Sequence, residues 1–231
     1  MPVMSKRARL LWIAFGLGAV IGLFLLSLFL ASRHVPKFYR KALDVDPKKQ
    51  ADAGKRMLQQ IAALGGAIQQ DLPWEAVLTA EEINGWLSAD LAKSFPNALP
   101  PNFRNPRVAI DRNGVTIACL GELDHSWSVV NLTVEPYMAK PDVLALKIVN
   151  VRAGLLPVPM KQVLDQLSRL AQRLDLHIEW RQANGAPVAL LSMPANQKTK
   201  RSLHIESLKL DEGQISISGV VSKNAPGNSK R

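Results

Sequence analysis

The side chains able to do chemistry are few and scattered. The four histidines are His34, His125, His177 and His204. No two stand at metal-ligand spacing, none neighbours the single cysteine, and no HExxH pair occurs. Asp124-His125-Ser126 holds the residue types of a hydrolytic triad. Three consecutive residues cannot form a relay, because a strand turns neighbours to opposite faces. There is no G-x-S-x-G, Walker or dinucleotide-binding glycine pattern. Glu81-Glu82 are adjacent carboxylates, but helix capping and the helix dipole account for both. Cys119 ends the run Val115-Thr116-Ile117-Ala118-Cys119, which reads as a strand with Val115, Ile117 and Cys119 on one face. A lone cysteine forms no intramolecular disulfide, and this one reads as a buried, inert thiol. The residues therefore point away from an enzyme, with no catalytic group, metal or cofactor implied.

The elements that carry these residues start with an apolar run. Leu10 to Ser32 contains no charged residue. It is about 22 residues long and would rise roughly 33 Å as a helix, enough to cross a bilayer core. The run is longer than a secretory h-region. Its exit, Leu28-Phe29-Leu30-Ala31-Ser32, puts bulky side chains where a cleavage site needs small ones. An uncleaved signal anchor is expected. Basic residues flank both ends: Lys6, Arg7 and Arg9 before, Arg33, Lys37, Arg40 and Lys41 after. Long domains translocate largely regardless of charge. A short basic tail before a large domain suits an inner-membrane, single-pass protein with its C-terminal domain extracytoplasmic. Ala14, Gly18 and Gly22 line one helix face and suit a homodimer contact.

The chain has 231 residues and a net charge of +10. A basic surface suits nucleic acid, anionic lipid head groups or an acidic envelope polymer. The anchor and the lack of aromatics interleaved with Lys/Arg runs argue against nucleic acid. Anionic head groups fit the basic stretch after the span.

The organisation expected is a basic tail (1–9), a transmembrane anchor (10–32), a juxtamembrane linker and helix (33–74), an α+β domain (75–221) and a disordered tail (222–231). Met57, Leu58, Ile61, Leu64 and Ile68 fall at helical spacing, with Gly65-Gly66 as an interruption. Thr79 and Glu82 form a capping box, and Ile83, Trp86, Leu87, Leu91 and Phe95 make one apolar face of a helix ending near Phe95. The period then changes to two. Val108 and Ile110 lead to a hairpin at Asn113-Gly114, and strands follow through Val130, Leu132, Val134 and Val143 to Val151. A second amphipathic helix carries Val163, Leu164, Leu167, Leu170, Ala171 and Leu174. Four more strands close the chain. Strand runs with helices between them predict an α+β fold: a curved, mainly antiparallel sheet packed on the two amphipathic helices.

Leu78-Thr79-Ala80-Glu81-Glu82-Ile83-Asn84 resembles the "L-T-x-E-E-hydrophobic-N" helix start of the YpmS-like family of membrane-anchored bacterial proteins. Gly154-Leu155-Leu156-Pro157-Val158-Pro159 resembles that family's "G-x-L-P-x-P" turn. The likeness covers roughly Leu78 to Leu174 and implies location and fold more than activity. The pattern is also similar to tubular lipid-binding (TULIP-like) modules, where a coiled sheet wraps a helix around an apolar groove. Two functions follow as expectations. One is a membrane-tethered module that holds a lipid or other apolar ligand, lined by Ile83, Trp86, Leu87, Leu155, Leu156, Leu164 and Leu167. The other is a structural or interaction protein of the envelope with a dry core.

Overall fold

The computed structural model describes residues 20–96, 98–123, 126–173, 176–192 and 201–223. The first half of the apolar run, Ala14 and Gly18 of the small-residue stripe, Asp124-His125 and the last eight residues of the expected tail lie outside them. Helix α1 runs from the first described residue over Val20–Ser32, followed by α2 (Lys37–Leu43) and α3 (Pro47–Gln69). Then come β1 (Trp74–Thr79), α4 (Ala80–Ala89) and the single turn α5 (Leu91–Ser94). A meander follows: β2 (Phe103–Asp111), β3 (Gly114–Leu123), β4 (Ser126–Lys140) and β5 (Val143–Ala153). The chain continues through β6 (Leu156–Pro157), α6 (Met160–Arg173), β7 (Ile178–Ala183), β8 (Ala186–Ser192), β9 (Arg201–Asp211) and β10 (Gln214–Lys223).

The protein is α+β with antiparallel pairing throughout, but the strands form two sheets rather than one. A seven-stranded sheet runs β2-β3-β4-β5-β8-β7, with β6 beside β5. A three-stranded sheet runs β1-β10-β9. No local pattern marks β1, because its partner β10 lies at the other end of the chain. Turn chemistry fixes the registers. Pro141-Asp142 joins β4 to β5 with Asp142 at φ +64°, and Asn184 and Gly185 both take positive φ between β7 and β8. At the β2–β3 hairpin the turn residues are Arg112-Asn113, one position earlier than expected. Asp111 Oδ1 accepts both the Asn113 and Gly114 N–H groups. Gly114 is needed for space instead, since a Cβ there would lie 2.6 Å from Val134 O.

Strand alternation sorts the large sheet into two faces. One face carries Val134, Ile148 and Val151, and α6 lies on it with Met160, Val163, Leu164 and Leu167. Trp180 closes the far side, donating Nε1–H to Ser168 Oγ at 2.9 Å. The opposite face carries Ala118, Leu120 and Val129, covered by Val35, Phe38 and Tyr39. Residues 33–51 are therefore not a linker. Tyr39 is 2% exposed, its hydroxyl donates to Asn105 O at 2.9 Å, and α2 is part of the core. Burying an aromatic of this size outweighs the basic character of its neighbours.

Helix α3 starts earlier than expected. Pro47 takes the first turn and Asp46 caps it, accepting from Lys48 N and Lys49 N. The helix passes unbroken through Gly65-Gly66, held by α4 and β1. Helix α4 stops at Ala89, earlier than the apolar stripe suggested, and it covers an edge rather than the sheet's face. Asn84 sits against β2, its Oδ1 accepting from Val108 N (2.7 Å) and its Nδ2 donating to Val108 O (2.8 Å). One carboxamide thus replaces a neighbouring strand at the free edge of the sheet. Gly213 N donates to Ile110 O along the same edge. Gly85 meets α3 so closely that a Cβ would lie 2.5 Å from Gln50 O and from Gly54 N.

Candidate functional site

The seven residues expected to line one groove fall in different places. Ile83, Trp86 and Leu87 are half-buried on α4. Trp86 meets Phe95 edge to face at 6.1 Å, and Leu87 lines a cleft of about 350 Å³ with Leu91, Phe95 and the proline-rich loop before β2. Leu164 and Leu167 lie on the sheet against the Val134, Ile148 and Val151 cluster. Leu156 is half-buried in β6, and Leu155 is 49% exposed. The two helices do not share a cavity, because Asn84 and Gly85 tie α4 to the edge of β2 and to α3.

An apolar groove does form, on the α6 side of the large sheet. Its cavity volume is about 240 Å³. Val130, Leu132 and Val151 form the floor, and Val158, Val163 and Leu167 the α6 wall. Asn102 and Phe103, at the start of β2, close it. Phe103 lies over Gly121, where a Cβ would come within 2.7 Å of the ring. Beside the groove α6 packs on β4, β5 and Trp180 of β7, while Gln162 and Gln166 stand with Asn102 and Phe103 around it. Ile117, on the same face of β3, stays 40% exposed. No charged side chain lines the groove. A cavity of roughly 150 Å³ lined by Leu, Ile and Phe is enough to hold benzene, so this one has room for a segment of an aliphatic chain. Of the expected lining only Leu167 is in it. Val130, Leu132 and Val151 were legible as half-buried strand positions, but their meeting with Val158 and Val163 depends on how α6 crosses the sheet.

Besides the cleft at Leu87, two more are larger than this groove. One, of about 650 Å³, lies over the edge of β2 between α2, α3 and α4, with Lys41, Lys49, Glu81 and Glu212 around it. Its mixed charges select no ligand class, and its Asn84 and Gly85 already serve the fold. The other, of about 520 Å³, lies where the β2–β3 turn meets β9, with Arg112, Glu135 and Leu208 among its walls.

The buried polar groups act as joints. Arg107 is 4% exposed and donates to Ala42 O (3.2 Å), Pro106 O (2.8 Å) and Ser88 Oγ (3.2 Å). It fastens the carbonyl end of α2 to β2 and α4, a place where the helix dipole favours a cation. Burial lowers the pKa of its guanidinium and raises that of Tyr39. Glu82 receives Thr79 N and Oγ1 and Gln60 Nε2, which completes the capping box and ties it to α3. His204 Nδ1 lies 2.6 Å from Asp142 Oδ2, and Ile205 N donates to Asp142 Oδ1, joining the small sheet to the β4–β5 turn. Burial pushes the Cys119 thiol up to about 11, so it is protonated at neutral pH. Among the described residues no three His, Cys, Asp or Glu side chains converge on a metal-sized site.

Apolar side chains stand out along α1: Val20, Ile21, Leu23, Phe24, Leu25, Leu26, Phe29 and Leu30 are all exposed. No single described helix is long and apolar enough to cross a membrane, whereas α1 and α2 together, bent by 45°, pass on length and composition. The last turn of α1 is bonded to the body. Leu155 N donates to Ala31 O at 2.9 Å, and Ser128 Oγ donates to Ser32 O. Gly154, at φ +62°, packs under the same carbonyls, where a Cβ would lie 2.4 Å from Ala31 O. Comparison with family models, curated proteins and solved structures gives no match in any of the three.

Proposed function

We propose that this chain is a membrane-tethered, extracytoplasmic binding module of the cell envelope that holds a lipid or other apolar ligand between α6 and the seven-stranded sheet. The observation that carries the reading is the uncharged groove of about 240 Å³ beside a helix that leaves part of its sheet face bare. A dry core would close such a gap; apolar surface left at a cavity mouth suits an apolar guest. The tether rests on α1. Its exposed apolar side chains are costly in water and favourable in hydrocarbon. The charge-free run continues upstream to Leu10. The resemblance to YpmS-like proteins agrees with both parts, and its two motifs have architectural work here. Thr79 to Gly85 clamps α3, α4 and β2, and Gly154 to Pro159 seats α1 and opens α6. Chemistry at the groove is binding rather than catalysis, with no cofactor.

Native mass spectrometry of the full chain, extracted from membranes in mild detergent, tests the reading. A lipid adduct that survives detergent exchange supports it. A ligand-free mass, with no uptake of a fluorescent fatty-acid probe, leaves the dry envelope scaffold as the answer. Orientation has a separate test: alkaline phosphatase fused after Arg231 is expected to be active, and inactive fusions would overturn the extracytoplasmic placement.

A further inference from the structure

The groove and the root of α1 lie at the same end of the large sheet. Val130, in the groove floor, pairs with Ala153, the residue before Gly154. Val129 O accepts the Gly154 N–H, and Leu155 N donates to Ala31 O at the end of α1. The groove floor thus sits one ladder step from the attachment of α1. At that level Leu155 is 49% exposed beside Ala31. The chain leaving α1 is basic: Arg33 lies over the Phe29 ring at 4.6 Å, and Lys37, Arg40 and Lys41 of α2 are exposed. An exposed leucine at the end of an apolar helix that runs on into basic residues is the pattern of an interfacial contact with anionic head groups. The hydrogen bonds at Leu155 and Ser128 fix the angle between α1 and the sheet, so the groove is held at that level.

We infer that the β5–α6 turn at Leu155 rests in the surface of the bilayer that α1 enters, and that the groove takes its acyl chain directly from that leaflet. This rests on the tethered-binding reading above. The occupant is one chain of a bilayer lipid, lying along Val130 and Leu167, with its head group left in the bilayer surface. Gln162 and Gln166 stand at the groove mouth as uncharged donors and acceptors, suited to an ester or hydroxyl and not to an ion.

Photocrosslinking of the full chain in vesicles of phosphatidylethanolamine and phosphatidylglycerol tests it. The crosslinker p-benzoylphenylalanine replaces Leu155, Gln166 or Val149, one at a time. Val149 is equally apolar and 54% exposed, but lies in the cleft by the β2–β3 turn and β9. Lipid adducts at Leu155 and Gln166, and none at Val149, are expected. Gln162 replaces Gln166 as the groove position if that variant does not fold. Adducts at Leu155 alone, or at the groove position alone, overturn direct loading from the leaflet. Lipid that co-purifies with the wild type while neither position crosslinks overturns this inference and leaves the binding module standing. A lipid-free wild type with no adduct at any position defeats both.

Discussion

At the scale of single residues, Asn84 has the most readable role. Both ends of its carboxamide bond the Val108 peptide group, so Asn84→Ala leaves a donor and an acceptor without partners at the covered edge of β2. We expect a loss of about 2 kcal/mol in urea unfolding with an unchanged slope. Asn84→Asp keeps the acceptor but sets a carboxylate oxygen against Val108 O, so it is expected to be no better than Ala. A stability equal to wild type in either variant would refute the edge-covering role. Cys119 gives a pH prediction. Burial pushes its folded thiol up to about 11, from about 9 for an exposed cysteine. Between these values the unfolded chain releases the proton and the folded chain keeps it, so stability falls as pH rises from about 9 to about 11. Below that window the thiol is neutral in both states and contributes no pH dependence. Iodoacetamide is expected to modify folded Cys119 negligibly at pH 8; fast modification there would contradict its burial. Sequence alone places Asn84 next to Ile83 on the capped helix, where a packed carboxamide needs a partner such as backbone. It cannot say which backbone, because Val108 lies in another element whose edge faces α4 only after folding.

At the scale of elements, the helices with strong local signals were readable and the tertiary joints were not. The capping box of α4 and the stripe of α6 are encoded within a few turns of chain, and both helices form. The hairpins at Asn184-Gly185 and Pro141-Asp142 are fixed by residues that accept positive φ. The segment after α1 misled because its charges dominate its composition, whereas one side chain, Tyr39, decides its place. Tyr39→Ala is expected to cost about 3 kcal/mol by removing the aromatic that α2 sets against Ala118 and Val129. Thermal melts of the full chain check this, and a cost under about 1 kcal/mol would return residues 33–51 to linker status. The α3–α4 crossing gives a sharper case. Gly85→Ala drives a methyl into Gln50 O and Gly54 N on the facing helix backbone. A loss of about 3 kcal/mol is expected, at the upper end for overpacking, because backbone cannot yield as a side chain does. An equally stable variant would mean that the two helices lie further apart.

At the scale of the whole molecule, the large sheet separates two tasks. One face is closed by α2 and holds the fold together; the other is only partly closed by α6 and leaves the groove. Filling the groove should separate binding from folding. Val163→Trp puts an indole into a cavity of about 240 Å³. It is expected to abolish uptake of a fluorescent fatty-acid probe while the melting curve stays within a few degrees of wild type. Undiminished uptake would move the ligand elsewhere. The fold class was legible because strand runs and amphipathic helices alternate along the chain. The division into two sheets was not, since β1 and β10 meet across most of the sequence. The seating of α1 carries one more consequence. Its last carbonyls are bonded to Leu155 and Ser128, and Gly154 fits under them with no room for a side chain. The helix and the sheet therefore share one lever with no slack at the fulcrum. A tilt of α1 turns the whole sheet through the same angle, and a protein that gripped α1 would steer the body without touching it.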